Sequence, residues 1–359
     1  MRALNRKEHD LLARRKSEPK KNIIGSIFRR YFIDAMSAMA LGLFASLIIA
    51  TILNLLGKIP YLEILSTLAS TITAKDSVVT GAAIGAAVAW GLKHKPLVIF
   101  SAVSVGAIAY AAGGGPIGAY AAAVVGAEIG GLISGRTKLD IVLSPLLTIV
   151  PGGLVGYFIG PYLNQFMTAF GDLVNTTTEW APLPMGIAVA VLVGMALTAP
   201  ISSAALCVSI GISGLAAGAA AVGCSAQMIG FAVASFRDNG VGGLLSQGVG
   251  TSMLQFGNIL RRPQIWIAPT LAGAILGPVS TCIFKMTNTS VGAGMGTSGL
   301  VGQFGAFEAM TADGTAFWLV LIEIVLMHVV LPAALTLGID FILRKAGWIK
   351  PGDMAISQG

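Results

Sequence analysis

The chain reads as an all-α, polytopic membrane protein of about ten transmembrane helices, and three observations predict this class. Hydrophobic residues make up 55% of the 359 and charged residues 11%, with a mean hydropathy of +0.81. So little polar surface cannot cover a water-soluble globule of this length, so the apolar residues must face lipid. The apolar residues gather into span-sized runs. When those runs are threaded in order through a bilayer, all of the 23 Lys and Arg residues except Lys58, Lys75, Arg237 and Lys285 fall on one side. Positive charge near span ends is retained in the cytoplasm, so both termini are expected there, in a bacterial plasma membrane.

Residues 1–32 form a basic leader. Residues 1–30 hold ten basic side chains against Glu8, Asp10 and Glu18, a balance of +7 that equals the charge of the whole chain. The segment is expected to hold the N-terminus inside and to touch anionic headgroups. It has neither the length nor the aromatics of a nucleic-acid reader, so no nucleic acid is expected as partner. Nor does it resemble a cleavable signal peptide.

The membrane domain is expected over 33–343, followed by a cytoplasmic tail, 344–359. The spans fall at 33–56, 77–92, 97–112, 116–134, 141–160, 184–206, 212–236, 241–259, 265–284 and 317–342. The second and third are short for a perpendicular crossing, and Pro145, Pro200, Pro269 and Pro332 interrupt others. Broken backbone at membrane depth is tolerated only where protein buries it or it lines a polar cavity, which points to a transporter. GGGPIGAY (113–120), Arg136 and Pro145 are followed at similar spacing by DNGVGGLL (238–245), Arg261 and Pro269. An internal duplication of 77–210 onto 211–345 is the reading of that spacing. The loops 161–183 and 285–316 are expected to face outward or to fold back into the membrane.

The most distinctive polar stretch is NTSVGAGMGTSGLVGQFGAFE, 288–308. It carries Asn288, Thr289, Ser290, Thr297, Ser298, Gln303 and Glu308 among six glycines, including Gly294 and Gly296. Hydroxyls and amides donate and accept hydrogen bonds, and glycine lets backbone approach a ligand closely, so a re-entrant segment binding a neutral, hydroxyl-rich solute is expected. A flexible external connector is the other reading. Glu128, within AAAVVGAEIGGLIS, is a candidate solute ligand, because an intramembrane carboxylate is expensive without a task. His328 is a further candidate. It stands five residues after Glu323, so the two are not expected on one helix face. Gln227, Gln255 and Asn258 line the same cavity or join helices. Asp34, Asp140 and Asp340 sit near span ends. Cys207, Cys224 and Cys282 have no CxxC spacing and read as packing residues. No hydrolytic, nucleotide-binding or redox motif is present, and no cofactor or metal is expected.

The leader, the Gly/Ala-rich short spans, GGGPIGAYAAAVVGAEIGGLISGRTKLDI, RRPQIWIAPTLAGAILGP and NTSVGAGMGTSGLVGQFG together resemble the membrane subunit IIC family of the bacterial phosphotransferase system, nearest its perfringolysin-regulator-like branch. The resemblance implies sugar binding and translocation, with the phosphoryl group carried by separate IIA and IIB partners. It assigns no catalytic residue here. A membrane regulator that binds a ligand without moving it, and an ion-coupled small-solute carrier, are the competing readings. A homodimer is left open.

Overall fold

In the computed structural model, which describes residues 23–74, 77–199 and 201–356, every regular element is helical among the described residues. An isolated antiparallel bridge joins Gly214 to Asn288. The leader up to residue 22, Lys75, Pro200 and the last three residues of the tail lie outside the described residues.

Helix α1 runs from Ile23 to Leu56 through two π-helical stretches, Arg29–Ala35 and Phe44–Ile48. Within the first, the Tyr31 carbonyl also accepts from the Tyr120 hydroxyl at 2.6 Å, which ties the stretch to a neighbouring helix. A short amphipathic helix, α2 (Glu63–Thr73), follows. Next come α3 (Val79–Gly91), α4 (Pro96–Ala111), α5 (Gly115–Ile133) and α6 (Asp140–Phe158). Proline opens α4 and stands second in α5, where its missing N–H costs nothing. These four pack with α1 into one bundle whose core is mainly alanine and valine. Glycines let the backbones touch: a Cβ on Gly85 would strike the Ala102 carbonyl, and one on Gly106 the Gly81 carbonyl.

The segment 161–183, expected as a connection that faces outward or folds back into the membrane, lies in a continuous helix, α7 (Gly160–Trp180), and the first residues of the next. Its start is tied to the α4–α5 turn by Asn164, whose amide donates to Gly113 O at 3.2 Å. Near its end Asn175 accepts from Ser213 N at 3.0 Å and donates to Gly211 O at 3.3 Å.

The second bundle contains α8 (Pro182–Thr198), α9 (Ser203–Ile210), α10 (Gly214–Ala234), α11 (Phe236–Leu245), α12 (Phe256–Arg261) and α13 (Ile267–Pro278, extended by a π-helical Val279–Phe284). It is completed by α14 (Ser290–Ala293), α15 (Val301–Ala312) and α16, which runs from Phe317 to Lys345 through a π-helical Leu326–Val330. Helix α10 is its axis: nearly every residue from Ala216 to Ala234 is buried.

Among the described residues six helices are long and apolar enough to cross a membrane, namely α1, α5, α6, α10, α13 and α16, and α3, α4 and α8 are shorter apolar ones. Two of the ten expected spans need correction. The run 184–206 is not one helix: α8 stops at Thr198 and α9 restarts at Ser203, around proline 200 and with Ser202 as an N-cap accepting from Ala205 N at 3.1 Å. The run 241–259 is a chain of short pieces, π-helical Ser246–Gly250, 3₁₀ Ser252–Gln255 and α12, because its glycines and extended Thr251 cannot sustain a helix. In the windows aligned as a duplication, 113–133 is therefore one helix and 238–258 is fragmented, while α6 and α13 are helical in both.

These breaks reverse the direction of α10. Its last carbonyl, Ala234 O, accepts from Arg344 Nη2 at 3.0 Å, and Asp238 accepts from Gly352 N at 3.0 Å, so Arg237 lies at the same end of the bundle as Arg344 and Arg262. Arg237 thereby joins the basic majority that the threading had separated from it. The start of α10 faces the other end, where Gly214 O accepts from Asn288 N at 3.2 Å. The described part of the tail also packs back at the basic end, with Ile349 and Met354 buried.

Candidate functional site

Three broken segments of the second bundle point their tips at one another. The first is the α8–α9 hairpin, whose arms meet between Thr198 and Ser203. The second, 236–262, enters from the basic end and has its tip at Ser246–Ser252. The third is the glycine-rich stretch, which leaves and returns at the opposite end. Its base is closed by Thr287, whose hydroxyl donates to Asp313 Oδ2 at 2.6 Å. At the tips Ser203 Oγ donates to Gly294 O at 2.6 Å, Thr297 Oγ1 donates to Gly248 O at 2.5 Å, and the Thr198 and Ser252 hydroxyls share a hydrogen bond of 2.8 Å. Helix ends leave backbone groups without intrahelical partners, and inside apolar protein those groups must be met by side chains. The hydroxyls do that here.

The glycine-rich stretch is not a solvated connector: Val291 to Thr297 are all buried. Thr289 caps α14, accepting from Gly292 N at 3.2 Å, and Ser290 is that helix's first residue. Asn288 braces both arms of the hairpin: its amide donates to Gly302 O at 3.0 Å and its oxygen accepts from Thr289 N at 2.8 Å. The tip turns through Gly296, Gly299 and Leu300, all at positive φ, with Ser298 half-buried between them. Leucine in that conformation is strained, and such strain gathers at functional sites. The close approach made by Gly294 and Gly296 is to protein: a Cβ on either would collide with Ser203 or with the Cys224–Ser225 backbone of α10.

Behind the tip stands a polar pair with unused capacity. Gln303 Nε2 and His328 Nδ1 are 3.0 Å apart, and the outer atoms, Gln303 Oε1 and His328 Nε2, are buried without a hydrogen-bond partner. Ser225 Oγ and Glu323 Oε2 are in the same condition. Buried polar atoms are nearly always satisfied, so atoms in this condition call for water or a solute. The π-helical Leu326–Val330 places more residues in its turn than an α-helix does, and Glu323 and His328 are both buried despite their spacing of five. No hydrogen bond joins the two side chains among the described residues. Gln227, by contrast, is fully engaged: Trp266 Nε1 donates to its oxygen at 2.9 Å and its amide donates to Thr270 Oγ1 at 3.0 Å. Gln255 and Asn258 bind the tail, donating to Met354 O and Ala355 O, each at 2.9 Å.

Thus the structure gathers Asn288, Thr289, Ser290, Gly294, Gly296, Thr297, Ser298, Gln303 and His328. Glu308 is half-buried farther along α15. Glu128 stands elsewhere, in the last turns of α5, where it accepts from Arg30 Nε at 2.8 Å and lies 3.9 Å from His94 Nε2. Its side chain is 30% exposed, so this is an ion pair at the rim of the first bundle and not an isolated carboxylate in its centre. Burial pushes the pKa of His94 down, with Glu128 opposing and Arg30 adding to the shift, so the ring is neutral at neutral pH.

Thr198, Ser203, Ser225, Gln247 and Ser252 had no counterpart in the sequence reading. The hydroxyls flanking proline 200 in LTAPISSA and the polar run in QGVGTSMLQ were the available signals. Among the described residues no group of three His, Cys, Asp or Glu side chains stands close enough to hold a metal ion. The cysteines are unpaired, Cys207 and Cys224 buried and Cys282 exposed.

No curated protein and no solved structure matches the chain. The family model described as Phosphotransferase system, EIIC matches residues 33–356, which takes in both bundles, all three broken segments and the packed part of the tail. On that match the chain belongs to the EIIC family, the membrane subunits of phosphotransferase-system transporters.

Proposed function

We propose that this chain binds and translocates a sugar or a closely related hydroxyl-rich solute, at the place where the three tips meet the Gln303–His328 pair. The observation that supports this most is the unused hydrogen-bonding capacity of Gln303 Oε1, His328 Nε2 and Ser225 Oγ beside backbone that the broken helices leave outside regular ladders. Amide, imidazole and hydroxyl groups together offer donors and acceptors without net charge, which suits a neutral polyol. Discontinuous segments meeting inside the bundle are the arrangement transporters use to present backbone groups to a solute. The basic end faces the cytoplasm in this reading, with both termini, and separate IIA and IIB proteins deliver the phosphoryl group there. Within the family we place the chain in the perfringolysin-regulator-like branch, on the sequence stretches quoted above. Asn288, Thr289, Thr297 and Ser298 hold the tip, and Gln303 and His328 touch the solute.

Uptake of a labelled sugar panel into vesicles, with and without a phosphorylated IIB partner, tests the reading. At least one sugar should accumulate as its phosphate, and only with the partner present. Binding without uptake under either condition would favour a ligand-binding regulator instead.

A further inference from the structure

A second site lies away from the tips, at the basic end between the two bundles. A cleft of about 760 Å³ opens there between the first half of α1, the end of α3 and the broken segment that carries Met253. Four basic side chains gather at this corner. Two are engaged: Arg30 with Glu128 at 2.7 Å, and Lys95, which donates to Ser134 O at 3.1 Å. The other two, Arg29 and Lys93, line the cleft, are exposed, and have no side-chain partner among the described residues. Lys93 follows α3 in the left-handed conformation, φ 62°, a position that ordinarily selects glycine. A lysine held there at a conformational cost needs a compensating role.

The remaining walls restrict what fits. Asp34 and Ser37 stand on the α1 side, and His94, kept neutral by burial, closes the bottom of the charged part. Beyond them the cleft is apolar, with Leu41, Met253 and the exposed ring of Trp90. A soluble anion would use the basic pair and leave the apolar walls empty. A lipid fills both.

We propose that this cleft binds the headgroup of an anionic phospholipid, its phosphodiester between Arg29 and Lys93, its headgroup hydroxyls on Asp34 and Ser37, and its first acyl carbons along Leu41, Trp90 and Met253. The positions match the chemistry: the charged residues sit at the basic end, at headgroup level, and the apolar ones lie deeper along α1. Because the cleft touches α1, α3 and the broken segment, one lipid bridges the two bundles. The proposal does not depend on the solute or on transport.

The test uses the full chain in nanodiscs containing a trace of phosphatidylglycerol or phosphatidylcholine with brominated acyl chains, which quench a nearby indole. Trp90 is read as the difference between the native protein and Trp90→Phe. Brominated phosphatidylglycerol should quench it more strongly than brominated phosphatidylcholine. The excess should require at least about tenfold more lipid in Arg29→Gln/Lys93→Gln and return in Arg29→Lys/Lys93→Arg. Unchanged quenching by phosphatidylcholine shows that the variants remain inserted. Equal quenching by both lipids, or an excess that survives the double glutamine variant, overturns the proposal. So does displacement of the lipid by inorganic phosphate or glycerol phosphate at equal concentration, which would make this a site for a free anion.

Discussion

The two bundles share a packing rule and differ in what interrupts it. In the first, Gly81 and Gly85 meet Gly106 and Ala102, and the helices run unbroken from turn to turn. In the second, Gly186 meets Gly277 and Gly223 meets Ala190 just as closely, yet 199–202, 246–252 and 294–300 break the helices between them. Among the described residues the first bundle buries hydroxyls such as Ser101, Ser144 and Thr148, whereas the fully buried amides and imidazole, Gln227, Gln247, Gln255, Asn288 and His328, belong to the second. The first bundle's charged side chains sit near its basic end, around Glu128, whereas Gln303, His328, Ser225 and Thr297 lie within the second. Close glycine contacts thus build the scaffold in both halves, and the function is sited where that scaffold is opened and its loose backbone ends are met by hydroxyls.

If the contacts are equivalent, breaking them should be equally severe in either half. Gly85→Val and Gly223→Val each drive a side chain into opposing backbone that has no room to move, at a cost of about 3 kcal/mol or more. Both should abolish the monodisperse peak in detergent size-exclusion. Gly296→Val should do the same, since it adds a left-handed φ of 52° to a collision with the α10 backbone. Gly257→Ala is the control: nothing lies near its Cβ position, and alanine should raise stability by roughly 0.5–1 kcal/mol. A folded Gly85→Val beside an unfolded Gly223→Val would show that the halves are not built alike.

The polar interior sharpens the contrast. Gln303→Leu removes one hydrogen bond and an unused acceptor without changing the packing volume much. The protein should remain folded while solute affinity falls about tenfold, the value of a buried hydrogen bond of about 1.5 kcal/mol. Equilibrium binding to the purified variant measures it. Glu128→Gln, in the first bundle, should leave solute binding unchanged. It should lower stability by no more than about 1 kcal/mol, because both partners of its ion pair are partly exposed. A large binding defect in Glu128→Gln would carry the site across to the first bundle.

The class of fold was legible because hydropathy and charge sorting are properties of whole segments. The breaks were less so. Residues 184–206 stay apolar through the α8–α9 turn, so the only local sign of the hairpin was proline 200 among hydroxyls. Residues 241–259 are apolar enough to pass as a span, and only the packing shows that Gly248 and Ser252 serve as a tip. A full span at 241–259 would turn α10 the other way and strand Arg237 apart from Arg262 and Arg344, beside which the fold places it. The glycine-rich stretch was recognised as special, but glycine alone does not say whether backbone approaches a solute or, as at Gly294 and Gly296, another helix. Glu128 was unreadable for a different reason: its partners come from Arg30 and His94, far away in sequence.

The tail offers a smaller test within the second bundle. Asn239 donates to Met354 O at 2.8 Å and accepts from Ile356 N at 2.8 Å, holding the C-terminal segment on the broken segment whose tip reaches Thr297. Asn239→Ala should cost about 1–2 kcal/mol and expose the tail to a C-terminal protease, with the helices themselves intact. Limited proteolysis followed by mass spectrometry would report it. A tail that stays protected would mean that burial of Met354 and Ile349 is sufficient by itself.

The mildest effect belongs to pH and falls on the first bundle. His94 is held neutral in the fold because burial lowers its pKa from 6.5, an effect larger than the opposing pull of Glu128, and Arg30 lowers it further. The unfolded chain takes up the proton at the ordinary value, so it binds more protons than the folded chain as the solution is acidified. Stability from this group is therefore complete above 6.5 and is lost as pH falls below it. The thermal midpoint in detergent should decline from about pH 7.5 to about pH 5.5 in the native protein, and the decline should be shallower in His94→Gln, which cannot charge. Identical slopes would assign the acid sensitivity to other groups and leave His94 as a packing neighbour of Gly131.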